Sequence, residues 1–346
     1  GSAAKILAGR LKLSASSIET YEGAAKGAAG AIVFALAEGA ALPAALHPHK
    51  DGYTVVYAGG VVVYGARPRS LLFAAGEPEH WAAGRTAPLV RDPSFAMRVC
   101  SYHAGHSVAE QVATLGVNLF TAAVPATVSL EGLPEVFGKL TPEAQQRLRA
   151  AGAAHKAENV AVVKEFHDAD VEVFALLPYG NNFERWSPEL YAAALAAYPA
   201  AKGTPEAHSW EKASLCPSDP DTWKVFDAFV KEWAEQTQSD GISATFWDQY
   251  GAYCQDERCK RSGNDKFPNE LYEFISHYHA VVKPMGQRLH LRTWSSGCPH
   301  WLGEEYVHAP GYGQFGLTHE QLWARVIHET PADVLMQTKV YHSDCE

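Results

Sequence analysis

Polar and aromatic side chains recur in this sequence within a few residues of the ends of short apolar runs. The residues in such positions are His103, Tyr179, Asn181, Trp247, Asp248, Trp294 and Asp344. Aromatic rings offer apolar faces on which the C–H faces of sugars can stack. Amide, imidazole and carboxylate groups hydrogen-bond hydroxyls in fixed directions. This mixture predicts a carbohydrate pocket.

Two aspartates are the carboxyl groups best placed for glycoside hydrolysis. That reaction needs an acid kept protonated by its surroundings and a second carboxylate that acts as nucleophile or base. We assign Asp344 as the base or water-positioning acid and Asp248 as the acid or a substrate ligand, with Glu304, Glu305 and Glu346 in reserve. For each residue, the ordinary alternative is a loop acid that caps a helix or faces solvent.

Two cations lie inside otherwise apolar runs, Arg292 and Lys339. On a barrel strand, an inward position would place them in the substrate cavity. An Arg–Lys pair there would hold a carboxylate, which Arg can grip with two parallel hydrogen bonds. This feature indicates a uronic acid as the sugar. The open alternative is a buried ion pair with Asp248 or Asp344.

From Asp92 onward, apolar runs alternate with long helical stretches. The runs are Phe95–Cys100, Val117–Val124, Val171–Leu177, Ile242–Trp247, Leu289–Trp294 and Val334–Lys339. The helical stretches include Pro142–His155 onwards, Asp221–Gln236 and Pro268–Val282. This alternation predicts an α/β fold with a parallel sheet, a (β/α)8 barrel of the TIM type, with a doubly wound sheet as the alternative. A complete barrel has eight units and six or seven are seen, so either strands are missed or the last units lie beyond Glu346.

Residues 1–90 predict a small α/β domain before the barrel, which we assign to 91–346. Strands are expected at Lys5–Ala8 and Ile32–Ala35, and helices at Ser17–Ala29 and Arg69–Trp81. The glycines Gly59-Gly60 separate two β-rich runs, 52–57 and 61–64. Two glycines supply the backbone angles of a tight turn, so this segment predicts a β-hairpin.

Composition excludes several functional classes. The formal charge is −10, from 29 basic and 39 acidic residues, which argues against binding to nucleic acid or anionic membranes. No apolar run approaches the roughly 20 residues that cross a bilayer. Phosphate-binding loops, a Gly-X-Ser-X-Gly elbow and a His-Glu-X-X-His pair are not found in the sequence. We expect a glycan substrate and no cofactor. An extracellular or periplasmic location is favoured over a cytoplasmic one, and the oligomeric state is left open.

The six cysteines are too few for a disulfide scaffold. They are Cys100, Cys216, Cys254, Cys259, Cys298 and Cys345. The spacing of Cys254 and Cys259, with four residues between them, predicts either a local disulfide or two free thiols. We therefore expect no metal site. The alternative is a structural metal site completed by Cys298 and His300.

Three segments carry a family resemblance. The first is Val55–Trp81, which contains the stretch Ala66-Arg67-Pro68-Arg69-Ser70-Leu71-Leu72-Phe73-Ala74. The others are Leu215-Cys216-Pro217-Ser218 with Trp223, and Asp248–Cys259. They resemble the α-glucuronidases that debranch xylan and their bacterial relatives, which carry a small α/β domain before a barrel. The resemblance implies that Arg292 and Lys339 bind substrate and that Asp344 helps to activate water. The family's general acid is a glutamate after the fourth strand, where this chain has Asp248-Gln249-Tyr250.

The residues and the resemblance together predict a glycoside hydrolase that releases a uronic acid from an oligosaccharide or polysaccharide. One alternative is a hexosaminidase-like hydrolase of neutral or amino sugars, in which Arg292 would bind hydroxyls or a structural acid. The other is a catalytically silent glycan-binding barrel, which the lack of a glutamate near Tyr250 motivates.

Overall fold

The structure is a computed structural model of residues 1–346, of which part is described. The described residues are 31–38, 40–48, 51–57, 59–81, 86–93, 98–102, 109–178, 187–204, 215–246, 254, 256, 258, 266–293 and 328–338. The chain forms two compact units, 1–123 with 161–173 and 124–160 with 174–346. The predicted strand at Lys5–Ala8 and helix at Ser17–Ala29 lie outside the described residues.

A four-stranded mixed sheet occupies the first part of the chain. Its strands are β1 (Ile32–Leu36), β2 (Tyr53–Tyr57), β3 (Val61–Gly65) and β4 (Leu89–Arg91), in the order β1-β3-β2-β4. The antiparallel pairing of β2 with β3 confirms the predicted hairpin, and Gly59 in its turn has φ 75°. β1 runs parallel to β3, as a crossover connection requires. The predicted domain boundary at residues 90 and 91 stays a prediction.

Helix α1 (Pro68–Gly76) packs on this sheet and replaces the longer predicted helix Arg69–Trp81. A short 3-10 turn, 78–80, follows it and ends at Trp81. The Trp81 ring is fully buried, and its Nε1 donates to the Ala74 carbonyl at 2.9 Å. The turn therefore buries a large side chain that a continued helix would have carried elsewhere.

The second sheet has six parallel strands in sequential order. They are β5 (Val99–Tyr102), β6 (Leu119–Ala122), β7 (Glu172–Pro178), β8 (Gly241–Phe246), β9 (Arg288–Thr293) and β10 (Leu335–Thr338). The prediction of an α/β fold with a TIM-barrel sheet after a small α/β domain is confirmed. The doubly wound alternative is wrong, because that fold reverses its strand order at a switch point and this sheet does not.

Helices connect the strands of this sheet. They are α2 (Ala109–Thr114), α3 (Pro134–Phe137), α4 (Pro142–Asp168), α5 (Pro188–Ala197), α6 (Pro220–Thr237) and α7 (Lys266–Val282). The Asp219 carboxylate caps α6 by accepting from the Asp221 amide at 3.1 Å, and Gln238 ends it in the left-handed region. Phe226 of α6 meets the rings of Phe274 and Tyr278 of α7 at 5.1 and 4.8 Å. Among the described residues, no helix is both long and apolar enough to cross a bilayer.

Candidate functional site

The carboxyl ends of the six parallel strands lie along one edge of the barrel sheet. β5 to β10 end at Tyr102, Ala122, Pro178, Phe246, Thr293 and Thr338. In barrels of this type, the loops that leave these ends build the active site. The sheet therefore defines one edge at which catalytic and binding residues can gather.

Most of the predicted site residues lie outside the described residues. They are His103, Tyr179, Asn181, Trp247, Asp248, Trp294, Lys339 and Asp344. Five of them directly follow in sequence the last residue of a described strand: His103, Tyr179, Trp247, Trp294 and Lys339. The observed strand bounds thus agree with the reasoning that selected these residues, and their assignment to the site stays a prediction.

Arg292 is the one predicted site residue whose backbone is described. It lies in β9, in register with Thr245 of β8 and Gln337 of β10. This position is one residue before the end of β9, so it belongs to the carboxyl edge of the sheet. Its role in substrate binding stays a prediction.

The two faces of β8 and β9 differ sharply in chemistry. One face carries Ile242, Ala244, Leu289 and Leu291, all buried and apolar. The other carries Ser243 and His290, whose side chains are joined by a hydrogen bond of 2.8 Å between Oγ and Nδ1. Side chains alternate between faces along a strand, so this part of the sheet has one apolar face and one face that carries a buried polar pair.

The Ser243–His290 pair is wholly buried, with both residues 0% exposed. Phe174 of β7 meets the His290 ring edge-on at 6.2 Å, and the Arg288 guanidinium lies 5.1 Å from the Phe174 ring centre. Buried polar groups require hydrogen-bond partners, so the pair fixes both side chains inside the sheet. The sequence reasoning missed this pair. The available signal was that polar residues, Ser243 and His290 among them, interrupt two otherwise apolar runs.

The segment that leaves β6 is held by two side chains of α6. The Glu232 carboxylate accepts from the Ser129 amide at 2.7 Å, from its hydroxyl at 2.8 Å and from the Leu130 amide at 2.7 Å. Gln236 accepts from the Thr127 amide at 2.8 Å and donates to the Thr127 carbonyl at 2.9 Å. These bonds fix Leu130 in the left-handed region, at φ 59°. The loop after β6 is thus preorganised.

A strongly charged cluster lies at the opposite, amino ends of β5 and β6. The buried Asp51 accepts from Arg69 at 2.9 and 2.8 Å, from Arg98 at 2.7 Å and from Asn118 at 2.9 Å. Arg98 and Asn118 directly precede β5 and β6, respectively. Burial alone would raise the pKa of Asp51, but hydrogen bonds from Arg69 and Arg98 outweigh it and lower that pKa. The amino ends of barrel strands serve stability, so we assign this cluster a structural role.

Within the described residues, no group of three or more His, Cys, Asp and Glu side chains could hold a metal ion. Cys216 and Cys254 are buried and in the thiol form, whereas Cys259, Cys298 and His300 lie outside the described residues.

No protein-family model matches the chain, and no curated protein sequence matches it. Solved structures do share its fold. A GH20 exo β-N-acetylglucosaminidase from Vibrio harveyi, in complex with N-acetylglucosamine, has a TM-score of 0.53 at 12% identity and covers 100% of this chain. A mutant Streptomyces plicatus β-hexosaminidase in complex with the product GlcNAc has a TM-score of 0.51 at 14% identity, over 99% of this chain. A further family 20 β-N-acetylglucosaminidase has a TM-score of 0.53 at 14% identity, over 97% of this chain.

This chain spans 53%, 64% and 68% of the lengths of these three proteins, respectively. At 12% to 14% identity, the likeness shows a common fold, the TIM barrel behind a smaller α/β domain. All three are family 20 enzymes, so they lend no support to the α-glucuronidase resemblance. The chain therefore has the barrel fold of known glycoside hydrolases.

Proposed function

We propose that the chain is a glycoside hydrolase acting on glycans that contain N-acetylhexosamine. The observation that carries this proposal is the sequential parallel sheet, whose strand ends are followed in the sequence by aromatic and polar residues suited to sugars. The structures that share its fold are β-N-acetylglucosaminidases and a β-hexosaminidase, two of them in complex with N-acetylglucosamine, which favours an amino sugar over a uronic acid. An extracellular or periplasmic location suits such a substrate and is part of the proposal.

The chemistry of an amino sugar reduces what the protein must supply. Family 20 hydrolases use substrate assistance, in which the acetamido oxygen attacks the anomeric carbon. The bond to the leaving oxygen breaks as an acid protonates that oxygen, and water then opens the cyclic intermediate while returning a proton to the acid. We assign Asp248 as this acid. Asp344 orients the acetamido group and the attacking water. No protein nucleophile is needed in this scheme.

The polar face of the barrel sheet supports a site at this edge. The paired residues Ser243 and His290 precede the paired residues Thr245 and Arg292 by two positions in the register of β8 with β9. A buried, hydrogen-bonded pair holds the backbone beneath the edge rigidly, and catalysis benefits when site residues stand on rigid elements. In the proposed site, Arg292 binds hydroxyls or a structural acid, and the aromatic residues Trp247 and Trp294 stack on the sugar.

A second candidate is the release of a uronic acid. The observation that favours it is the position of Arg292 in β9, one residue before the carboxyl end of that strand. An arginine there could clamp a substrate carboxylate with two parallel hydrogen bonds. The two candidates differ in what they demand of this side chain, which makes them separable by experiment.

The test is hydrolysis of matched aryl glycosides of N-acetylglucosamine, glucuronic acid and glucose, in both anomeric forms, read by release of the aryl alcohol. We expect turnover of the N-acetyl-β-glucosaminide. Asp248→Asn should lower kcat by about 10²–10⁴-fold, the usual contribution of general acid catalysis. Asp344→Asn should lower it similarly. Asp168→Asn changes an exposed acid at the end of α4 and is the matched control.

Arg292→Met separates the two candidates. For an amino-sugar substrate, the change should be mild. For a glucuronide, it should raise KM strongly, since the carboxylate would lose its partner. Turnover of glucuronides alone would replace the proposal by the second candidate. Binding of N-acetylglucosamine oligosaccharides without turnover of any glycoside would instead establish a silent glycan-binding barrel.

A further inference from the structure

Two cysteines from distant parts of the chain belong to one buried cluster. Cys216 precedes α6, Cys254 follows β8, and both are 0% exposed and in the thiol form in the structure. In the sequence, 37 residues lie between them. The local spacing of cysteines pairs Cys254 with Cys259, whereas the fold gives it Cys216 as a neighbour.

The backbone of Cys216 is fixed by three hydrogen bonds. Its amide donates to the Ala201 carbonyl at 2.7 Å. Its carbonyl accepts from the Thr222 hydroxyl at 2.6 Å and from the Asp219 amide at 3.0 Å. These bonds join the segment before α6 to the segment that ends at Ala201, and they hold Cys216 where the two segments meet.

The segment of Cys254 is tied to the same place by contacts of its own. The Thr204 amide donates to the Cys254 Sγ at 3.4 Å. Further along the chain, Arg258 donates to the Asp219 carboxylate at 2.8 Å and to the Ala200 carbonyl at 2.8 Å. The proximity of the two thiols therefore rests on hydrogen bonds made by both segments, as well as on packing.

The surroundings of the two sulfur atoms favour the thiolate. An amide donor bonds to Cys254, and the Arg258 guanidinium is a cation close to Cys216. The hydrogen bond to Asp256 raises the pKa of Arg258 most, and Asp219 and Cys216 raise it further. A hydrogen-bond donor and a cation beside sulfur both stabilise its negative form. The thiolate is the form that attacks a disulfide bond in thiol–disulfide exchange.

We propose that Cys216 and Cys254 form a disulfide when the chain folds in the presence of a small disulfide oxidant of the oxidised glutathione class. One cysteine thiolate attacks a sulfur of the oxidant and expels one thiolate. The other cysteine thiolate then attacks the protein sulfur of this mixed disulfide and expels the second. The oxidant takes up two electrons, and the two protons of the cysteines end on the released thiols. Because both cysteines are 0% exposed, the exchange takes place before these segments close.

The disulfide joins the segment after β8 to the segment before α6. Seven residues, Asp248 among them, connect Phe246 at the end of β8 with Cys254. The link therefore anchors the far end of the connection that carries the proposed acid. The inference itself does not depend on the proposed glycosidase activity, because covalent structure and stability test it.

Peptide mapping is the direct test. The full chain, secreted into an oxidising bacterial periplasm, is alkylated, digested without reduction and analysed by mass spectrometry. We expect two peptides linked through Cys216 and Cys254, and this linkage should disappear on reduction. Cys259→Ala is the matched control and should keep it. A Cys254–Cys259 linkage, or alkylation of both Cys216 and Cys254, would overturn the proposal.

Thermal unfolding is the second readout. A disulfide stabilises a protein by restricting its unfolded chain, and more so for long loops. Protein from the oxidising compartment should therefore melt about 5–10 °C above the same chain produced and kept with reductant. This difference should vanish in Cys216→Ala and in Cys254→Ala and remain in Cys259→Ala. Equal melting temperatures of the two preparations of the natural chain would refute the disulfide, and that comparison stays decisive if an alanine variant does not fold.

Discussion

Replacing Asp51 by Asn should destabilise the unit formed by residues 1–123 and 161–173. Asp51 is 4% exposed and receives hydrogen bonds from two guanidinium groups, whose side chains are themselves only 11% and 18% exposed. In Asp51→Asn, Arg69 and Arg98 lose the buried Asp51 carboxylate, Arg69 keeps only the partly exposed Asp170 carboxylate at 3.7 Å, and the new amide group faces donors. Removing one partner of a buried ion pair costs about 3–5 kcal/mol, because an uncompensated charge remains.

The assay is urea unfolding at neutral pH, with Glu189→Gln as the control. Arg147 contacts both Glu189 oxygens at 2.6 Å, but the Arg147 and Glu189 side chains are 61% and 35% exposed, so that change should cost about 1 kcal/mol or less. Each variant thus removes one carboxylate that forms short hydrogen bonds with arginine, and the two carboxylates differ in how deeply they are buried. Equal losses of stability in the two would refute the reasoning that burial makes the Asp51 cluster important.

The same cluster gives a signed pH dependence. The folded-state pKa of Asp51 lies below the ordinary value of 3.8. A lowered pKa contributes stability that is fully present above the unfolded-state value and is lost as the pH falls through the folded-state value. The difference in unfolding free energy between the natural chain and Asp51→Asn should therefore stay constant from about pH 8 to 5 and shrink below about pH 4. A difference that grows on acidification would contradict the assigned direction of the shift.

Three further changes test the packing and electrostatics. Glu232→Gln weakens the charge-assisted bonds to the loop after β6 and should cost about 1.5–3 kcal/mol in urea unfolding, whereas the exposed Glu235→Gln should cost almost nothing. A Cβ at Gly241 would lie 2.3 Å from the Arg288 carbonyl oxygen, so Gly241→Ala should lower stability by about 1–3 kcal/mol, whereas Gly132→Ala meets nothing within 4 Å. Hydrogen bonds from His279 and Lys283 lower the pKa of Asp333 to about 2, so carboxyl NMR should show it titrating there and moving toward 3.8 in His279→Gln.

The sequence predicts the barrel because its signals are local. An apolar run between two helical stretches locates a strand correctly when the residues of the run are also those that pair with the neighbouring strand. Leu289–Trp294 was predicted and Arg288–Thr293 is observed; Val171–Leu177 was predicted and Glu172–Pro178 is observed. The predicted run Phe95–Cys100 is displaced from the observed strand, because β5 is Val99–Tyr102 and shares only Val99 and Cys100 with the run. There, the register with β6, which pairs Val99 with Leu119, sets the start of the strand, and no local pattern encodes a register.

Local sequence patterns cannot predict which side chains from distant segments will contact each other. Ser243 and His290 meet because β8 and β9 adopt one particular register, and a shift of one residue would move each to the other face. Cys216 precedes α6 and Cys254 follows β8, yet both belong to one buried cluster, a proximity that the local spacing of Cys254 and Cys259 does not predict. The sequence offers candidate site residues, which stay predictions, whereas the partners of buried residues such as Ser243 and His290 could not be predicted from it.

The separation of the two ends of the barrel sheet makes the proposed function testable apart from stability. The Asp51 cluster holds the amino ends of β5 and β6, and the proposed catalytic residues follow the carboxyl ends of the strands. In this fold, the two ends serve stability and catalysis, respectively. Asp51→Asn should therefore lower the unfolding free energy and leave kcat per folded molecule unchanged. Asp344→Asn should lower kcat and leave the unfolding free energy unchanged. If Asp51→Asn lowered kcat of the folded enzyme as strongly as Asp344→Asn, the two ends would be coupled and the assignment of a purely structural role to the cluster would be wrong.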